Sequence, residues 1–182
     1  IKNIVDLNSL KKIKNILIKI IIKNIKIHSD LSDEEILNLF HKKIKNKNLN
    51  NFRLKAINEI NKDKNCRYYY FKVVKPYLEA ITGNELVMQK KINLSIQLPE
   101  DQDSLLAVHS DVWSGDSPFE VVVWLPLVNC FRTKSMYILP ANLINQFNKK
   151  ISKKNYQNSE KVFQLIKKKV KWIKINYGQV LI

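Results

Sequence analysis

The run NELVMQKKINLSIQLPEDQDSLLAVHSDVWSGDSPFEVVVWLPLVNCFRTKSMYILP, Asn84 to Pro140, decides how the whole chain is read. Before it the texture is helical. Within it, apolar residues alternate with polar ones in the manner of strands. Residues 86–98 alternate first. An acidic turn follows over Pro99–Asp103, then a short strand at Leu105–His109 and a loop at Trp113–Phe119. Two β-rich runs complete the stretch, Glu120–Cys130 and Lys134–Leu139.

Upstream, Ile13, Ile16, Leu17, Ile20, Ile21 and Ile27 recur at helical spacing with lysines between them. Ser32 and Glu35 stand three apart before an apolar run, the pattern of a capping box. A third helix is predicted over Asn51–Asn61, after a connecting loop at Asn46–Asn51. A fourth runs from Tyr68 to about Ile81, with Gly83 as its stop. Downstream, residues 141–171 read as helix. Lys171–Ile182 returns to strand with Gly178 in a turn. This order of helices, strands, an inserted helix and strands is not the alternation of a doubly wound fold. It predicts one domain, mainly β with α. Residues 1–83 form a helical layer on a jelly-roll or cupin-like core at 84–182.

The chain has 182 residues and a formal net charge of +16. A basic balance points to anionic partners. Its distribution argues otherwise: residues 84–140 hold seven acids against four bases, a net of −3 that leaves +19 elsewhere. The excess lysines stand beside abundant Ile and Asn and are read as solvated faces, so no nucleic acid is expected. Cys66 and Cys130 are far apart and form neither a disulfide framework nor a zinc signature. A reducing, cytoplasmic setting is expected. The most apolar stretch, Ile13–Ile27, is cut by four lysines, so no membrane span is expected.

The motif with chemical content is Val108–Asp111, VHSD. On an extended strand end, His109 and Asp111 point to one face. An imidazole and a carboxylate so placed can occupy adjacent positions on a metal, as in the two-His, one-carboxylate sites of non-heme iron oxygenases. Alone, the spacing is equally that of a surface turn in which Asp111 caps the next loop. Trp113, Ser114, Asp116 and Ser117 follow, an aromatic plate beside hydroxyls and carboxylate that suits a sugar. Trp113 can equally plug a barrel mouth. Gln89, Asn93 and Ser95 share a face with Lys91 and either line a pocket or form a wet exterior.

On HSDVWSGDSPFEVV and TKSMYILP above all, the chain resembles the sporadic carbohydrate cluster 2-oxoglutarate/Fe(II) oxygenases, distant relatives of the phytanoyl-CoA dioxygenases. The resemblance implies a double-stranded β-helix, Fe(II) and 2-oxoglutarate as cosubstrate. It also implies O2 and a carbohydrate-related substrate of surface-polysaccharide synthesis. It makes His109 and Asp111 the first two metal ligands. Lys134, with Thr133 assisting, becomes a candidate for the cosubstrate's distal carboxylate, with Gln89 and Asn93 lining its pocket. Lys134 reads equally as a turn lysine in water. The resemblance places a second metal His soon after the run Gly178–Ile182, where this sequence stops. His28 and His41 lie in the helical region. The expectation is therefore a fragment lacking closing strands, with little turnover of its own. A cupin-like sugar-binding or isomerase barrel and a basic nucleic-acid-binding module are the alternatives.

Overall fold

Leu10, Ile13, Leu17, Ile20 and Ile21 recur at three- and four-residue steps, and all are buried on one face of helix α1 (Leu7–Ile25). That stripe is the axis of the fold. A computed structural model describes residues 1–27, 30–45, 48–99, 106–149 and 158–182, and the side chains of these except Ser114 and Asn148. Asp6 caps α1 by accepting from the Ser9 backbone N–H at 2.9 Å. Lys26, in the left-handed region at φ 54°, ends it.

Helix α2 (Asp33–Leu39) opens on Ser32 with both bonds of the expected capping box in place. A 3-10 turn, Phe40–Lys43, continues it. Helix α3 spans Leu49–Lys62 and α4 spans Cys66–Thr82. Gly83 closes α4 at φ 85°, its N–H bonded to the Glu79 carbonyl. Pro76 stands inside α4 and removes one backbone donor, yet the helix runs on. Both α3 and α4 pack on α1, and Ala56, Ile60, Val73 and Val74 join its buried stripe. Each fully buried Val, Leu or Ile side chain contributes about 1.5–3 kcal/mol.

The expected mainly β, double-stranded β-helix core is not formed. Among the described residues about 49% are helical, and about 7% lie in two small sheets and two single bridges. Each sheet has two antiparallel strands of two residues. Strand β1 (Lys2–Asn3) pairs with β4 (Gln179–Val180), and β2 (Tyr137–Ile138) pairs with β3 (Lys171–Trp172). Single bridges join Trp124 to Leu181 and Cys130 to Ile175. The jelly-roll and cupin-like readings fall with the barrel. The run from Lys171 to Ile182 does return to strand, turning at Gly178 with φ 94°, and it is the hub of all these pairings.

Residues 86–98 show why the pattern misled. Ile92, Leu94, Ile96 and Leu98 do face inward, against the helical core, while Lys91, Asn93, Ser95 and Gln97 face out. That is strand-like alternation, but the backbone is satisfied by helix side chains rather than by a second strand. Asn61 of α3 accepts from the Ile92 N–H at 2.7 Å and donates to the Ile92 carbonyl at 2.9 Å. Arg53 donates to the Ile96 carbonyl, and Arg67 donates to those of Met88 and Gln89. Buried backbone polar groups must be paired, and side chains pair these.

Helices α5 (Ala141–Asn148) and α6 (Ser159–Ile166) fall within the predicted helical stretch 141–171. Residues 150–157, the acidic segment 100–103 and Leu105 lie outside the described residues, as does His28. Among the described residues no helix is long and apolar enough to cross a membrane.

Candidate functional site

Val108 anchors the HxD motif. It packs with Leu139, Phe147 and Val170 on a small cluster built on Val162 and Ile166 of α6. The chain emerges from that cluster, and Asp111 opens a 3-10 turn, Asp111–Ser114. The Trp113 N–H bonds to the Ser110 carbonyl at 2.8 Å, and the Asp116 N–H to that of Asp111 at 3.3 Å. Gly115 ends the turn at φ 98°, a left-handed conformation that favours glycine.

His109 and Asp111 do not sit on a strand, as expected, yet their side chains meet. His109 Nε2 lies 3.6 Å from Asp111 Oδ1, with the two side chains 45% and 46% exposed. His109 Nδ1 lies 2.7 Å from the Ala107 carbonyl oxygen. A carbonyl only accepts, so Nδ1 carries the proton of the neutral ring. The lone pair is then on Nε2, facing the carboxylate. Adjacent ligands about 2.1 Å from an octahedral metal are about 3.0 Å apart. The pair must close by about 0.6 Å to hold one ion, a motion open to two half-exposed side chains. The donor types suit two positions on one metal ion once the pair has closed. Among the described residues no group of three His, Cys, Asp or Glu side chains is placed to hold a metal.

The other expected site residues have partners or surroundings of their own. The Lys134 ammonium donates to the Asn38 side-chain oxygen and ties its turn to α2. Thr133 is exposed beside Arg132, which has φ 52°. Gln89 and Asn93 project outward, the wet exterior of the two readings, and the Gln89 carbonyl is taken by Arg67. Trp113 is partly exposed next to Asp111, followed by the exposed Asp116 and Ser117. Ser117 Oγ accepts from the Phe119 N–H at 3.2 Å. For Ser114 only the backbone position in the turn is described. Burial pushes the His41 pKa down, with Lys42 adding to the effect, and its ring packs edge-on against Phe40. No hydrogen bond or ion pair among the described residues joins Lys134, Thr133, Gln89 or Asn93 to His109 or Asp111.

Sequence reasoning missed the Ala107 carbonyl, a backbone group with no residue-type signal. It also missed the α6 cluster that seats Val108. The apolar spacing of Val162 and Ile166 was the available clue. Comparison with protein-family models, characterised proteins and solved structures returned no match.

Proposed function

We propose that this chain contributes two metal donors, His109 Nε2 and Asp111 Oδ1, to an Fe(II)- and 2-oxoglutarate-dependent oxygenase. The reading makes its substrate a carbohydrate-related metabolite. One observation carries it: the Ala107 carbonyl fixes the ring proton on Nδ1, leaving the Nε2 lone pair turned toward the Asp111 carboxylate. Two such donors face to face repel one another unless a proton or a metal cation lies between them. A hydrogen-bonded distal nitrogen is how metal-bound histidines are ordinarily oriented. When bound with 2-oxoglutarate and O2, iron supplies the oxidising power that side chains lack, with succinate and CO2 as coproducts. Trp113, Asp116 and Ser117 stand next along the chain, where a sugar ring would meet an aromatic face and polar groups. Lys134 is given no part, since Asn38 holds its ammonium. Two free, buried thiols suit a reducing interior, and we place the protein in the cytoplasm.

Anaerobic Fe(II) binding and the conversion of 2-oxoglutarate to succinate test this reading on the 182-residue chain. Both are measured with and without free imidazole as a third nitrogen donor. The expected result is weak Fe(II) binding that His109→Ala and Asp111→Ala each remove. Succinate formation is expected to be slight alone and raised by imidazole only in the wild type. Equal binding and turnover by wild type and His109→Ala would end the proposal.

A further inference from the structure

The C-terminal hub carries a second surface, remote in kind from the HxD motif. Residues 158–182 hold six lysines and one acid, Glu160. Five of the lysines, Lys167, Lys168, Lys169, Lys171 and Lys174, fall within eight positions and are all exposed. No ion pair among the described residues engages any of them. Charge that reads in the sequence as scattered over solvated faces is here gathered at one place.

An aromatic row runs through the same place. Trp172 and Tyr137 are cross-strand partners in the β2–β3 pair, their rings 5.0 Å apart and edge-on. Tyr137 in turn packs on Phe163 of α6 at 5.4 Å. Trp172 ends the row and is 48% exposed. Lys174 stands two residues along from Trp172, on the same face of the extended chain, because Ile173 between them is buried. Lys167 stands four residues beyond Phe163, on the same side of α6. The row is thus flanked by ammonium groups, with its exposed indole buttressed from below.

We infer that this surface binds single-stranded nucleic acid, with Trp172 stacking on a base and the lysines neutralising backbone phosphates. An aromatic platform in a basic surface is the arrangement that holds single strands without reading sequence. An acidic glycan would share the charge, but its hydroxyls call for uncommitted polar side chains. Two of the nearby ones are spent: Ser135 Oγ donates to the Ile173 carbonyl at 2.6 Å, and the Gln164 amide donates to Glu160 at 2.6 Å. Lysine supplies charge without the planar fork that reads base edges, which fits sequence-tolerant binding.

The test is fluorescence anisotropy of a labelled 20-nucleotide oligothymidylate with the 182-residue chain over a series of salt concentrations. Four phosphate contacts, with Lys171 on the opposite face of the strand from Trp172, give a slope of log affinity against log salt of about −2.8. Trp172→Ala should weaken binding about five-fold to 150-fold, while Trp172→Phe, which keeps an aromatic plate, retains most of it. Lys167→Gln with Lys174→Gln should bring the slope to about −1.4. Circular dichroism of each variant confirms that it is folded. The inference is overturned if the oligonucleotide does not bind at 50 mM salt. It is also overturned if folded Trp172→Ala binds like wild type, or if a polyuronate competes as well as unlabelled oligothymidylate at equal charge.

Discussion

Replacing Asn61 by Ala removes the group that stands in for a partner strand at Ile92. Its side chain makes two bonds to the backbone of Ile92, at 2.7 Å to the N–H and 2.9 Å to the carbonyl. Each hydrogen bond contributes about 0.5–1.5 kcal/mol net, and both Ile92 groups are then orphaned in a partly buried place. The expected loss is therefore about 1–3 kcal/mol. For a chain of this size that lowers the melting temperature by about 2–4 °C per kcal/mol. Urea unfolding measures the total, and amide exchange at Ile92 reads the local effect. Asn61→Asp separates the two bonds, because it keeps the acceptor for the Ile92 N–H and loses the donor to its carbonyl. At neutral pH its second carboxylate oxygen faces the Ile92 and Ile57 carbonyls, so it should be less stable than wild type. If Asn61→Ala leaves both the urea midpoint and Ile92 exchange unchanged, residues 86–98 are not held as described, and the account of their alternation fails with them.

Asp6 gives a pH signature. Bonds from the Ser9 N–H and hydroxyl hold its carboxyl below the ordinary 3.8, with Lys72 assisting and burial opposing. A depressed folded pKa means that its stabilisation is complete above about pH 4 and is lost as pH falls through the folded value. Asp6→Ala should cost about 1 kcal/mol at pH 7, the usual worth of a helix cap, and much less at pH 2 by chemical unfolding. The Cys66 thiol is pushed up to about 11 by burial, with Asp63 adding to the effect. It should resist alkylation by iodoacetamide at pH 8 in the native state and react freely in urea, as followed by mass spectrometry. Gly178 turns the C-terminal hub at φ 94°, and an added Cβ would meet only Leu7 at 3.9 Å. Gly178→Ala should therefore cost about 1–2 kcal/mol through backbone strain rather than collision, seen as a lower unfolding midpoint with unchanged spectra.

The helical half was legible because its signals are local. Asn51–Asn61 and Tyr68–Ile81 were predicted, and α3 and α4 span Leu49–Lys62 and Cys66–Thr82. The Ser32–Glu35 box and the Gly83 stop act within four residues, so spacing alone reveals them. The β half was not legible, because alternation says which side chains turn inward and not what meets the backbone between them. At Ile92 a partner strand and Asn61 would leave the same apolar pattern. The site divides in the same way. His109 and Asp111 come together because they are two residues apart. Lys134 was linked to them through a barrel that does not exist, and its ammonium ends on Asn38.

The pairing of β1 with β4 also decides how the chain bears load. Lys2 stands opposite Val180 and Asn3 opposite Gln179 in an antiparallel register, followed inward by the Ile4 N–H bonded to the Gly178 carbonyl at 2.8 Å. Residues 1 and 182 therefore leave the ladder at the same end. Tension between them pulls across these bonds and opens them one after another, as a zip opens, instead of shearing them together. A pull applied through the termini should detach the first strand at low force, then reach the Asp6 cap before the packed helices resist. The same chain gripped at Lys2 and Trp172 would resist differently, since the C-terminal hub would then lie in the path of the force.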